Sequence, residues 1–264
     1  MMRMLAAAMA ALFASAPALA HETWLVPLDA SVQAGRRVTL ETSSGMDFPA
    51  PGSAIAPERV AVAGWRAGAA SGVLGTLKRG AQRSQFSFAP PAGTSGLLVA
   101  WMSLKPRTIQ LTDAQIDEYM DEIGATPELR AQAQAAKGAG RWTEIYAKHA
   151  KAFLRVGDGG GAGWDVPVGA PLELVPLADP TMVKPGESLS VRVLLNGAPV
   201  AGLPVGRMRE GSKARAYAVS GADGVVRVPL DAPGRWLLYT VHLVREPGPS
   251  RWRSEFATLA FALR

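Results

Sequence analysis

Short apolar runs, cut at close intervals by glycine, proline and serine, commit this chain to a β architecture. Residues 38–42, 59–63, 72–77, 85–88 and 97–102 follow a leading run at Thr23–Val26, each of strand length and each closed by turn-forming residues. A second series begins at Leu172 and continues through 187–195, 199–209, 213–219, 225–230, 235–244 and 251–263. Asn196-Gly197 at the end of one run is a strong hairpin signal, and Asp223-Gly224 and Pro233-Gly234 mark further turns. The 28 glycines and 20 prolines exceed ordinary usage without reaching low complexity. The pattern predicts a mainly β protein of two immunoglobulin-like or transthyretin-like sandwich regions.

Between the two series the period changes. Thr112 and Gln115 form a capping box that opens a helix with Ile116, Tyr119, Met120 and Ile123 on one face, ended by Gly124. Thr126-Pro127 opens a second helix, with proline at its first helical position, running to about Lys137. Trp142, Ile145, Tyr146, His149 and Phe153 fit one face of a third over 141–154, with Lys148 and Lys151 turned away. A helical insert at about 112–154 is thus expected in the first region. The glycine-rich stretch 157–163 lacks the GK[ST] ending of a phosphate loop and reads as a connector. The expected organisation is 1–20 leader, 21–156 β-rich domain with the insert, 157–171 linker and 172–264 second sandwich.

Met1–Ala20 carries Arg3, an apolar run and the ending Ala18-Leu19-Ala20, the signature of a secretory signal peptide cut before His21. No later stretch reaches the ~18 apolar residues of a membrane span. The expectation is an exported, periplasmic protein. Its charge, +6 before cleavage, is scattered without the clustered basic stripe and interleaved aromatics of a nucleic-acid site. With no cysteine, disulfide frameworks, thiolate metal centres and thiol nucleophiles are excluded. Neither GxSxG nor HExxH occurs, so hydrolytic catalysis has no motif to rest on, and the sequence leaves enzymatic activity open.

Three histidines are present, and cleavage gives one of them special chemistry. As the first residue, His21 offers its α-amine and ring Nδ1 to the same ion. Their reference pKa values, near 8 and 6.5, leave both available around neutrality, and such nitrogen pairs suit nickel(II), cobalt(II) and copper(II). His149 lies on the inward stripe of the expected third helix. His242 shares a strand face with Trp236, Leu238 and Thr240. Taken singly, each of these two is more simply a core histidine. Glu22, Glu144 and Glu255 are available as oxygen ligands, although a surface position is the ordinary role of each. The methionines beyond the leader are dispersed, so no Met-rich copper(I) motif exists in sequence.

The order of several segments carries a resemblance. His21-Glu22-Thr23-Trp24-Leu25, Tyr146 to Lys151, Leu172 to Pro180, Gly186-Glu187-Ser188-Leu189, Asn196-Gly197, Ala222-Asp223-Gly224, Gly234-Arg235-Trp236, His242 and Ala257 to Phe261 follow one another along the mature chain. This order resembles a family of exported bacterial proteins of undefined function, often described as the periplasmic component of cobalt/nickel ABC uptake. Gly221 departs from the threonine usual before the Asp-Gly turn. The resemblance implies metal ligation by His21, His149 and His242, a divalent transition metal as ligand (nickel or cobalt, with copper or zinc as other candidates), and a membrane ABC-type uptake system as partner. Two further readings stand beside it. One is a copper histidine-brace protein, chaperone or oxidase; the other is a β-sandwich interaction module with structural histidines.

Overall fold

The computed structural model describes residues 22–264; the expected leader, 1–20, and His21 lie outside the described residues. In chain order the first strands are β1 (Glu22–Pro27), β2 (Ser31–Val32), β3 (Val38–Gly45), β4 (Val60–Ala67), β5 (Ala70–Val73), β6 (Lys78–Arg79), β7 (Ser84–Phe88) and β8 (Gly96–Leu111). Two helices follow, α1 (Asp113–Glu122) and α2 (Pro127–Ala136), and then β9 (Trp142–Val156). The remaining strands are β10 (Leu172–Pro176), β11 (Ser188–Leu195), β12 (Ala198–Pro199), β13 (Pro204–Arg209), β14 (Ala216–Val219), β15 (Val225–Pro229), β16 (Gly234–Arg245) and β17 (Arg251–Leu263).

The fold is mainly β, in packed layers. The central layer is a nine-stranded sheet in the order β14-β13-β16-β17-β9-β8-β4-β5, with β2 beside the end of β9. It takes strands from either side of the 157–171 connector, because β17 pairs parallel to β9 from Arg251/Thr143 to Ala260/Ala152. On one face lies the β1-β3-β7-β6 sheet, around a core containing Trp24, Leu40, Phe86, Leu98 and Leu154. On the other face lie β10, β11, β12 and β15, around Leu174, Val191, Phe153, Trp236 and Phe261. Helices α1 and α2 cover the far end of the first face, burying Ile116, Tyr119 and Met120 against Trp142, Trp252 and Phe256.

Local chemistry explains most of these elements. Thr112 accepts from the Gln115 amide while the Gln115 side chain takes the Thr112 N–H, so the expected capping box is formed. Thr126 caps α2 with Pro127 in its first turn. Asn196 (φ 51°) and Gly197 (φ 81°) make the tight β11–β12 turn, which the positive φ at both positions requires. The third expected helix is not formed. Residues 142–156 are strand β9, held between β8 and β17 and buried on both sides along most of its length. A strand covered on both faces shows no polar alternation, and the spacing of its large residues imitates a helical stripe. The helical insert is therefore confined to α1 and α2.

Candidate functional site

His149 stands in the middle of β9, 6% exposed, with both ring nitrogens engaged. Nε2 lies 2.8 Å from Glu255 Oε2 on β17, and Nδ1 lies 2.8 Å from the Ser103 hydroxyl on β8. A carboxylate can only accept, so in the neutral ring Nε2 carries the proton and Nδ1 accepts from Ser103. Lys148 and Lys151 do not turn away to solvent, as a helix would place them. Lys148 is buried on the opposite face of β9, its Nζ 5.0 Å from the centre of the Phe256 ring. Lys151 pairs with Glu173 of β10 at 2.7 Å, both nearly sealed.

His242 sits on strand β16 as expected, directly across from Glu255 in the β16–β17 ladder. Burial lowers its pKa, and the nearby Glu255 carboxylate opposes that shift. The cross-strand pairing of His242 with Glu255, and of Ala257 with His149, puts both histidines on one face of the central sheet with Glu255 between them. Ser103 extends this polar row onto β8. Among the described residues, no three His, Asp or Glu groups gather closely enough to hold a metal ion.

The third histidine, His21, lies outside the described residues, but its neighbour Glu22 does not. Strand β1 packs against the face of the central sheet opposite to His149 and His242, and the Thr258 hydroxyl donates to the Thr23 carbonyl at 2.7 Å. Glu22 is 1% exposed, and its Oε2 has no hydrogen-bond partner among the described residues. It faces a buried polar cluster. Burial raises its pKa to about 7, against the pull of Lys148 and Arg215 and with the push of Glu122. Lys148 is lowered to about 8, again chiefly by burial.

Behind them Glu144, fully buried, accepts from Tyr119, Trp142 and Ser254, and burial raises its pKa too. Arg215 donates to the Met46 carbonyl at 3.0 Å and lies 4.0 Å from the Met46 sulfur. The Tyr239 hydroxyl donates to Tyr217, which donates to the Glu122 carbonyl.

Two of the three expected ligands thus share one face, and His21 lies outside the described residues. Glu22 and Glu144 prove to be core carboxylates instead of surface ones. Glu122, Arg215 and Met46 carry no motif in the sequence. The signal that was present is strand β1 itself, in which Glu22 and Thr23 lead directly into Trp24-Leu25-Val26. Asp117, Glu118 and Asp121 of α1 form a solvated face, Asp117 pairing with Lys137 and Asp121 with Arg130, while Glu122 is buried.

Residues 18–244 match the profile of a family described as "Domain of unknown function (DUF4198)". No curated protein matches the chain. Among solved structures, the human OSCAR ligand-binding domain is 17% identical, covering 89% of this chain and 95% of that one, with a TM-score of 0.20. Murine CEACAM1b is 11% identical over 92% and 100%, with a TM-score of 0.23. FdeC, an Escherichia coli adhesin, is 13% identical over 92% and 64%, with a TM-score of 0.24. No helix among the described residues is long and apolar enough to cross a membrane.

Proposed function

The chain belongs to the DUF4198 family, whose description assigns no activity, and from its own residues we propose an exported protein that binds a transition-metal ion at the N-terminus created by cleavage between Ala20 and His21. The ligand pair is the His21 α-amine and ring Nδ1. Nickel or cobalt is the cargo the family resemblance implies, delivered to a membrane ABC-type uptake system.

One observation carries the reading. Chain termini ordinarily fray unless tied down, yet the residue next to the cleavage point is sealed in the core, with a carboxylate oxygen lacking a partner among the described residues. Covalent geometry keeps the His21 Cα about 3.8 Å from that of Glu22. The chelating residue is thereby attached to a rigid strand beside buried acidic groups, which favours a cation.

In this reading His149 and His242 are structural. The histidine-brace alternative wants a second imidazole near the terminus, and both described histidines lie across the sheet from β1. The test is calorimetric titration of protein beginning at His21 with Ni(II), Co(II), Cu(II) and Zn(II), beside a form bearing one extra glycine before His21. Tight binding lost on extension supports the chelate. Equal affinity in the two forms, or no binding in either, overturns it.

A further inference from the structure

The terminal chelate gives His149 no chemical task, and we propose that Ser103, His149 and Glu255 form a nucleophile–base–carboxylate row that hydrolyses esters of apolar acyl groups. The three side chains come from the adjacent strands β8, β9 and β17. This activity is independent of metal binding.

The Ser103 hydroxyl lies 2.8 Å from His149 Nδ1, and His149 Nε2 lies 2.8 Å from Glu255 Oε2. A serine within hydrogen-bond reach of a base that a third group orients is the arrangement that activates a nucleophile. Glu255 fixes the tautomer, since with Nε2–H donated to the carboxylate, Nδ1 keeps its lone pair for the serine proton. His149 is sealed, whereas Ser103 is only partly covered, so the nucleophile is the member that a substrate reaches. On the side of Ser103 away from His149, the same sheet face is apolar. Val62 of β4 pairs directly with Ser103, Gly64 with Trp101, and Val73 of β5 with Gly64, and residues paired in this way share a face. Val62 is 53% exposed and Val73 77%, while the Trp101 indole lies against Gly64, where a β-carbon would meet it. Single exposed apolar residues are ordinary, but this group adjoins a hydrogen-bonded nucleophile.

The acyl chain lies on this apolar floor with its carbonyl carbon at Ser103. Ser103 Oγ attacks that carbon, and its proton passes to His149 Nδ1, leaving an imidazolium that Glu255 stabilises. The β8–β9 ladder is irregular between Leu104 and Arg107, and the exposed Lys105 within that irregularity supplies the cation for the oxyanion. Collapse breaks the bond to the alcohol, which leaves with the proton held by His149. Water then attacks the acyl-serine, again giving its proton to His149, and the carboxylic acid departs as Ser103 recovers its hydrogen. The sequence conceals this row because its members stand on three strands and none lies in a nucleophile-elbow motif.

The experiment uses the mature protein beginning at His21. A fluorophosphonate, which phosphonylates activated serines with loss of fluoride, is expected to label Ser103, located by peptide mass spectrometry, a result that needs no variant to fold. Hydrolysis of p-nitrophenyl acetate and octanoate is followed in parallel. Ser103→Ala and His149→Ala should each slow it about a hundredfold or more. Glu255→Gln should lower kcat about a hundredfold with KM within threefold, which separates orientation of the base from loss of the substrate floor. The parent should prefer octanoate at least tenfold in kcat/KM, and Val62→Ser with Val73→Ser, both on exposed positions, should abolish the preference. No label on Ser103, or an esterase rate unchanged in Ser103→Ala, overturns the proposal. Equal rates for the two esters in the parent overturn the apolar substrate class, and an unchanged rate in Lys105→Met overturns its role at the oxyanion.

Discussion

His149 and Glu255, 106 residues apart in the chain, meet at 2.8 Å between Nε2 and Oε2 on adjacent parallel strands. With Ser103 on the other ring nitrogen, the imidazole has no lone pair left for a metal. Replacing His149 by alanine strands both partners and is expected to cost about 1–3 kcal/mol of stability. Metal affinity at the authentic N-terminus should stay within twofold. Denaturant melts and titrations check both halves, and a tenfold loss of affinity in this variant would restore His149 as a ligand.

His242 lies on the other side of the same glutamate. Burial favours its neutral ring while Glu255 pulls the other way. In proton NMR titrations it should protonate below the ordinary 6.5. Glu255→Gln removes the opposing charge and should move the midpoint further down. An upward movement would mean that the carboxylate does not act on this ring.

Glu22 and Lys148 give the stability a pH dependence whose sign follows from burial. Glu22 titrates near 4.5 when unfolded and near 7 in place, so its contribution is full below 4.5 and is lost as pH rises through 7. Lys148 moves from 10.5 to about 8, so its contribution is full above 10.5 and is lost as pH falls through 8. In the native protein the two slopes oppose each other. Glu22→Gln removes the slope of this glutamate, and the variant should gain stability relative to the parent as pH rises from 5 to 8, by up to about 3 kcal/mol. Urea unfolding at several pH values reads this, and a relative loss over that interval contradicts it.

Lys151 and Glu173 join the central sheet to β10 through a 2.7 Å ion pair, and Glu173 also accepts from the Val168 and Gly169 amides. Removing only the lysine leaves a buried, uncompensated carboxylate. Lys151→Met should cost about 3–5 kcal/mol, and adding Glu173→Gln should recover part of it while keeping an acceptor for one of the two amides. A double variant less stable than the single would show that the charge is not the source of the cost.

Gly206 lies directly under the ring of Tyr239, which a β-carbon there would strike. The buried Tyr239 hydroxyl is fixed by Tyr217 at 2.8 Å, so the ring has nowhere to move. Gly206→Ala should destabilise by about 1–3 kcal/mol. A thermal midpoint equal to the parent's would mean that the ring relaxes freely.

The elements legible in the sequence were those set by local chemistry. Thr112 and Gln115 announce α1, Thr126-Pro127 announces α2, and Asn196-Gly197 fixes a turn, because each depends on atoms a few residues apart. The alternation of Trp236, Leu238, Thr240 and His242 gave β16 its correct faces. Strand β9 was misread because burial on both faces removes alternation, and its alanines and lysines suit a helix well. Of the buried polar cluster, the sequence offered only Glu22 and Glu144, as candidate oxygen ligands. Glu22 and Glu144 looked like surface carboxylates, since nothing local reports that β1 and β9 carry them into the interior.

The sequence alone determined the β class, the two helices and the tight turns. Tertiary structure decided which residues lie near one another. Pairing β17 parallel to β9 joined Glu255 to His149, and packing β1 on the opposite face brought Glu22 to Lys148 and Arg215. These contacts span tens to hundreds of residues, and their cost or benefit depends on burial. Burial is a property of the packed layers, so no local window of sequence contains it.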